Sequence, residues 1–109
     1  MKRYCFALDL IDDAELISEY KKYHKKIWPE ITRSIQSAGI DNLEIYLTGN
    51  RLFMIMEVNK SFSFERKITM DSENPKVQEW ERLMWRYQEG LPWAKKGEKW
   101  ILMDKIYQL

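Results

Sequence analysis

The residue types that carry most metal and cofactor chemistry are scarce in this sequence: 109 residues contain one cysteine, Cys5, and one histidine, His24. A single thiol excludes an intramolecular disulfide framework and a cysteine-based metal cluster, and it fits a reducing, cytoplasmic setting. With one imidazole and no carboxylates clustered at ligand spacing, no zinc or redox-metal site is expected. No glycine-rich phosphate loop or nucleophile elbow is present either. Acid-base chemistry without a cofactor is what this inventory leaves. Charge of one sign is also lacking, since 18 Lys and Arg nearly balance 17 Asp and Glu. Without a global field to concentrate them, neither nucleic acid nor an anionic membrane is expected as a partner. No apolar stretch approaches the roughly 20 residues of a membrane span. The N-terminus passes straight into Arg3, Tyr4 and Cys5, with no charged-then-apolar leader, so a soluble, unprocessed chain is expected.

What the sequence does have is aromatic side chains: five Trp, six Tyr and four Phe, 14% of the residues, within an ordinary hydrophobic fraction of 45%. Rings of this number serve a core, a subunit interface or the flat wall of a binding site, and composition alone leaves the three open. The length suits one compact domain spanning residues 1–109. No repeat, linker or low-complexity segment divides it. The basic run Lys21, Lys22, Lys25 and Lys26 reads as a solvated helix face partly neutralised by Glu15, Glu19 and Glu30.

Apolar residues on nearly every position from Arg3 to Leu10 predict a buried strand. Asp12 with Glu15 resembles a capping box, and Leu16, Tyr20, Tyr23, His24, Ile27, Ile31 and Ile35 follow at helical spacing as far as Gly39. Pro29 should kink or restart that helix just after His24, because it lacks an N–H and crowds the carbonyl four residues earlier. Alternation over Leu43–Thr48, the turn Gly49–Asn50 and the extended run Arg51–Val58 predict a hairpin. Ser61 to Met70 reads as a short helix or irregular segment. A second helix is predicted over 75–89, then a loop through Pro92 and Gly97, then a last strand over Trp100–Tyr107. The order β-α-β-β-α-β is the split βαβ plan, an antiparallel sheet with two helices on one face. Strands apolar on both sides leave the other face hydrophobic, so two copies are expected to pack sheet to sheet or edge to edge as a homodimer.

His24 shares the inner side of its helix with Tyr20 at i−4 and Trp28 at i+4. An imidazole titrates near neutrality, so it is suited to exchange protons there, and a phenol one turn away can hydrogen-bond a substrate hydroxyl beside it. A lone histidine satisfied by a backbone carbonyl within the core is the competing reading. Asp71 with Glu73 and Glu79 with Glu81 could be imagined as catalytic pairs, but i,i+2 spacing on a helix points side chains apart, which favours solvated faces.

The stretch Tyr20-Lys-Lys-Tyr-His24-Lys-Lys-Ile-Trp28-Pro29-Glu30, followed by Gly39 and Asn42-Leu-Glu-Ile-Tyr46-Leu, resembles the L-rhamnose mutarotase family. The likeness runs from residue 3 to about residue 89; beyond it, the last strand is similar only in pattern. The resemblance implies a dimeric ferredoxin-like α+β fold, no cofactor, and a monosaccharide substrate whose anomers are interconverted with a histidine as proton donor. On that pattern His24 matches the catalytic histidine, Tyr20 a sugar-contacting tyrosine, and Trp80 the first of two adjacent tryptophans lining the sugar pocket. Leu43 stands where the rhamnose-type pattern has another sugar-contacting tyrosine, and Glu81 where it has the second tryptophan. These two departures favour L-fucose over L-rhamnose, since a changed hydrogen-bond map in a buried site discriminates strongly between hydroxyl orientations. Two other functions fit the same fold: a cofactor-free monooxygenase or lactone isomerase, and a non-catalytic small-ligand-binding module.

Overall fold

A computed structural model describes residues 2–109. Its elements are β1 (Lys2–Leu10), α1 (Ala14–Lys25), α2 (Pro29–Ser37), β2 (Ile40–Thr48), β3 (Arg51–Val58), α3 (Phe64–Ser72), α4 (Pro75–Trp85), β4 (Gln88–Glu89) and β5 (Ile101–Leu102). The strands form one antiparallel sheet in the order β2-β3-β1-β4, with β5 also paired to β1. This is the expected split βαβ order with one change. The place beside β1 is shared by two short strands in succession, β4 opposite Asp9 and Leu10 and β5 opposite Phe6 and Ala7.

Period-two alternation decides which face the helices cover. Phe6, Leu8 and Leu10 on β1 and Leu52, Met54, Met56 and Val58 on β3 are all buried beneath them. One cluster joins Leu10 and Leu52 to Tyr20, Ile31, Trp80, Met84 and Tyr87 from the helices. A second joins Phe6, Met54, Met56 and Val58 to Ala38 and Ile40. Each large apolar side chain taken out of water contributes about 1.5–3 kcal/mol, so these rows dominate the stability. The opposite face carries Cys5, Ala7, Phe53, Ile55 and Tyr46 in register, with Glu44 on the edge strand opposite Ile55, bordered by Arg3, Glu57 and Asn42 at one end and by Asp9 and Arg51 at the other. No helix covers these residues, and Tyr46 is exposed with its ring 6.4 Å from that of Phe53.

Local chemistry sets the helix limits. The cap of α1 is Asp13, whose side chain accepts from the Leu16 amide at 3.0 Å, one residue later than the Asp12 expected from the sequence. The helix stops at Lys25, and α2 restarts with Pro29 in its first turn, as the proline predicts. Ser63 caps α3, and Asn74 with Pro75 opens α4. The helix expected over 75–89 ends at Trp85, after which Gln88 and Glu89 turn into β4. The strand expected over Trp100–Tyr107 shrinks to Ile101 and Leu102, with Met103 donating its N–H to Cys5 O at 2.8 Å; Ile106, Tyr107 and Leu109 are exposed. Among the described residues no helix is long and apolar enough to cross a membrane.

Two devices fix the junction of α2, β2 and α3. Gly39 ends α2 with φ +94°, and a Cβ there would sit 2.5 Å from Ser61 Oγ and 2.9 Å from the Phe62 backbone N. The Arg66 guanidinium donates to the carbonyls of Ser37, Ala38 and Ser61 at 2.9–3.1 Å, which ties α3 to the open end of α2.

Candidate active site

His24 lies in the last turn of α1, where the helix has to end before Pro29. Its Nδ1 is 2.8 Å from Tyr20 O, and its ring packs 4.4 Å from the Tyr20 ring and 5.8 Å from Trp80. A carbonyl can only accept, so Nδ1 carries the hydrogen, and the neutral ring then bears its lone pair on Nε2. Burial pushes the imidazole pKa below its ordinary value, and the backbone bond opposes this only in part.

Tyr20 is buried on the same helix. Its phenol oxygen accepts from Gln88 Nε2 at 3.2 Å, which keeps the tyrosine's own O–H proton available to another acceptor. Burial raises the Tyr20 pKa despite that bond, so the phenol is held as a neutral donor.

Both side chains line a cavity of about 210 Å³ between the helices and the sheet. It is small beside the ~300–1,000 Å³ clefts that take drug-sized ligands, and its scale suits a single monosaccharide ring. Leu43 and Ile45 of β2 with Met54 and Met56 of β3 give it an apolar floor. Ile31, Ser34 and Ile35 contribute from α2, and Val77, Trp80 and Met84 from α4. Polar groups enter from Glu81 on α4, from Lys67 and Asp71 on α3, and from Gln88 and Lys99.

The structure therefore brings Tyr20, His24, Leu43, Trp80 and Glu81 to one cavity. Trp28 is not among the residues lining it. Its ring stands edge-on to Trp80 at 5.0 Å, with Lys76 Nζ 5.7 Å above it, and it lines a separate surface groove with Tyr23 and Pro29. Trp28 braces the pocket wall from behind, because α2 begins right after it and turns the indole away from the α1 row. Sequence reasoning missed Gln88, Lys67, Asp71, Lys99 and Trp100. Asp71 had been expected on a solvated face; Lys67 and Asp71 at i,i+4 on an amphipathic helix were the available signal, but only the packing of α3 beside α4 turns that pair toward the cavity. Among the described residues no three His, Cys, Asp or Glu side chains converge as a metal site would require.

The whole chain is similar to known proteins. The chain is 44% identical over 111 residues to an L-fucose mutarotase of Xanthomonas campestris, covering all of this chain and 89% of the relative. A crystal structure of an L-rhamnose mutarotase from Formosa agariphila superposes with a TM-score of 0.74 at 19% identity, covering 100% of this chain and 99% of that one. A polyketide cyclase from Streptomyces glaucescens, the tetracenomycin F2 cyclase, superposes at 0.63 with 12% identity over 100% and 99% of the two chains, so the fold by itself hosts other chemistry. The family model for L-rhamnose mutarotase matches residues 3–109, and with that coverage the chain belongs to the L-rhamnose mutarotase family.

Proposed function

We propose that the protein interconverts the α and β anomers of a 6-deoxy-L-hexose, L-fucose in preference to L-rhamnose, with His24 as the group that moves the proton. The observation that carries this reading is the Nδ1–H···O=C contact to Tyr20, which turns the lone imidazole into a one-sided proton carrier bordering a monosaccharide-sized cavity. Membership of the mutarotase family and the 44% identity to an L-fucose mutarotase support it.

Pyranose opening needs a proton removed from the anomeric hydroxyl and one delivered to the ring oxygen. Neutral His24 takes the anomeric proton at Nε2 as the C1–O5 bond breaks and the C1 carbonyl forms. The resulting imidazolium returns the proton to O5, which is bonded to the same carbon. Rotation about C1–C2 and reclosure in the reverse sense yields the other anomer. One imidazole thus serves as base and as acid. The acid role expected from the sequence is the second half of the cycle. Tyr20 donates its phenol hydrogen to a sugar oxygen, and the Trp80 face covers the apolar side of the ring. Because the uncatalysed reaction is already measurable, about 10²–10⁴-fold from acid-base assistance is enough.

L-Fucose is favoured because Leu43 and Glu81 line the cavity where the rhamnose-type pattern has a tyrosine and a tryptophan. Two copies packed through the uncovered sheet face form the working unit, and the free Cys5 thiol fits a reducing cytoplasm. Saturation-transfer NMR of L-fucose and L-rhamnose tests the proposal. Wild-type protein should accelerate exchange between anomer signals, and folded His24→Ala should lose that acceleration. Unchanged exchange in the alanine variant overturns the mechanism, and no exchange by wild type leaves a ligand-binding module instead. The double change Leu43→Tyr with Glu81→Trp should move the fucose-to-rhamnose rate ratio toward rhamnose by about ten- to a hundredfold; an unchanged ratio removes these positions from substrate choice.

A further inference from the structure

The ion pairs within α3 and α4 are of two kinds. Lys76 and Glu79 form an i,i+3 pair on α4 at 3.3 Å whose side chains are about half exposed, 51% and 52%, as a solubility pair should be. Lys67 and Asp71 form an i,i+4 pair on α3 at 2.5 Å with exposures of 27% and 16%, and both border the sugar-sized cavity. Drawing two charges toward an apolar cavity has a desolvation cost that an outward-facing pair avoids, so the inward placement calls for a ligand that uses them.

The neighbouring contacts hold this pair in place. Gln78 Nε2 donates to the Asp71 backbone carbonyl at 2.8 Å and reaches Glu81 Oε2 at 3.5 Å, which links the end of α3 to the polar side of α4. The Arg66 clamp on the carbonyls of α2 fixes the start of α3 one residue before Lys67. Lys67 engages one Asp71 oxygen, Oδ2, and among the described residues it is the carboxylate's hydrogen-bond donor. That leaves an acceptor, Oδ1, beside an ammonium with hydrogens to spare. A vicinal diol presents the complementary set, because each hydroxyl both donates and accepts.

We infer that the Lys67–Asp71 pair is the hydroxyl-reading wall of the sugar site: Asp71 accepts from one ring hydroxyl and Lys67 donates to its neighbour, at carbons remote from the anomeric centre that His24 serves. This rests on the mutarotase reading and deepens it. The floor of Leu43, Ile45, Met54 and Met56 offers no side-chain donor, and among the described residues that border the cavity only Lys67 and Asp71 stand side by side as a donor and acceptor pair of opposite charge. Asp71 and Lys67 are binding residues and move no proton, so their loss is felt in KM rather than in kcat.

The test uses L-fucose for exchange kinetics and, for binding alone, the analogue in which hydrogen replaces the anomeric hydroxyl. Asp71→Asn and Lys67→Met should each weaken binding of the analogue, followed by NMR titration, by about ten- to a hundredfold and raise KM in parallel. Glu79→Gln, which breaks the solvated pair and leaves Lys76 in place over Trp28, should leave both values at wild type. Analogues that also lack one ring hydroxyl give a second readout. Wild type should lose affinity for the one whose missing group Asp71 binds, and Asp71→Asn should no longer distinguish it from the parent. Wild-type affinity in folded Asp71→Asn and Lys67→Met overturns the inference while leaving the mutarotase reading intact. A wild-type protein that exchanges no anomers brings down that reading first.

Discussion

At His24 two influences oppose each other, and burial is the larger. The ordinary imidazole value, 6.5, applies to the unfolded chain, while the folded value lies below it. As pH falls through this window the unfolded chain takes up its proton before the folded one, so stability should decline on acidification from about pH 6.5 and hold above it. Activity has the same sign: protonation removes the Nε2 lone pair, so kcat/KM for anomer exchange should fall with a midpoint below 6.5, recorded across pH by saturation transfer. A midpoint above 6.5 would contradict the assigned base. At this scale the sequence was partly legible. Tyr20, His24 and Trp80 followed from helical spacing and a family-like stretch, and Glu81 and Leu43 were marked by departing from it. Gln88, Lys67 and Asp71 were not legible, because their part in the site depends on the way separate elements meet in space and not on spacing within one element.

Elements were read best where the chemistry of their ends is local. The β2–β3 hairpin, the restart at Pro29 and the arrest of α2 at Gly39 all follow from turn and proline rules. The error at the end of α4 has a physical source: Tyr87 is buried three residues after Met84 and so prolongs the helical period past the point where the backbone unwinds. The final strand was overestimated because Ile106 and Tyr107 are apolar without being paired; β5 finds a partner in β1 only at Phe6 and Ala7. Gly39 gives the sharpest prediction at this level. Gly39→Ala imposes a positive φ on a residue with a Cβ and forces that atom into Ser61 and the Phe62 backbone. About 1–3 kcal/mol of destabilisation is expected from the strain alone, visible as a lower urea midpoint with unchanged slope. A midpoint equal to wild type would mean that the junction relaxes freely.

For the whole molecule, the asymmetry between the two sheet faces matters most. Helices cover one, while Cys5, Ala7, Phe53, Ile55 and Tyr46 form an apolar strip on the other, with charged rows at both ends and Glu44 on the edge strand opposite Ile55, a pattern suited to a self-complementary contact. Ile55→Asp places a charge in the middle of that strip and should convert a particle of twice 13.3 kDa into one of 13.3 kDa by light scattering; wild type at the lower mass would refute the dimer. The buried face has a different exposure. The floor of its cavity includes Met54 and Met56, with Met84 alongside. Thioethers are the apolar groups most easily oxidised, and a sulfoxide would put a strong polar acceptor into that apolar floor. If the cavity takes the proposed sugar, L-fucose should slow peroxide oxidation of these three sulfurs, read by mass spectrometry of peroxide-treated protein with and without the sugar; equal oxidation in both would show that it does not rest against them.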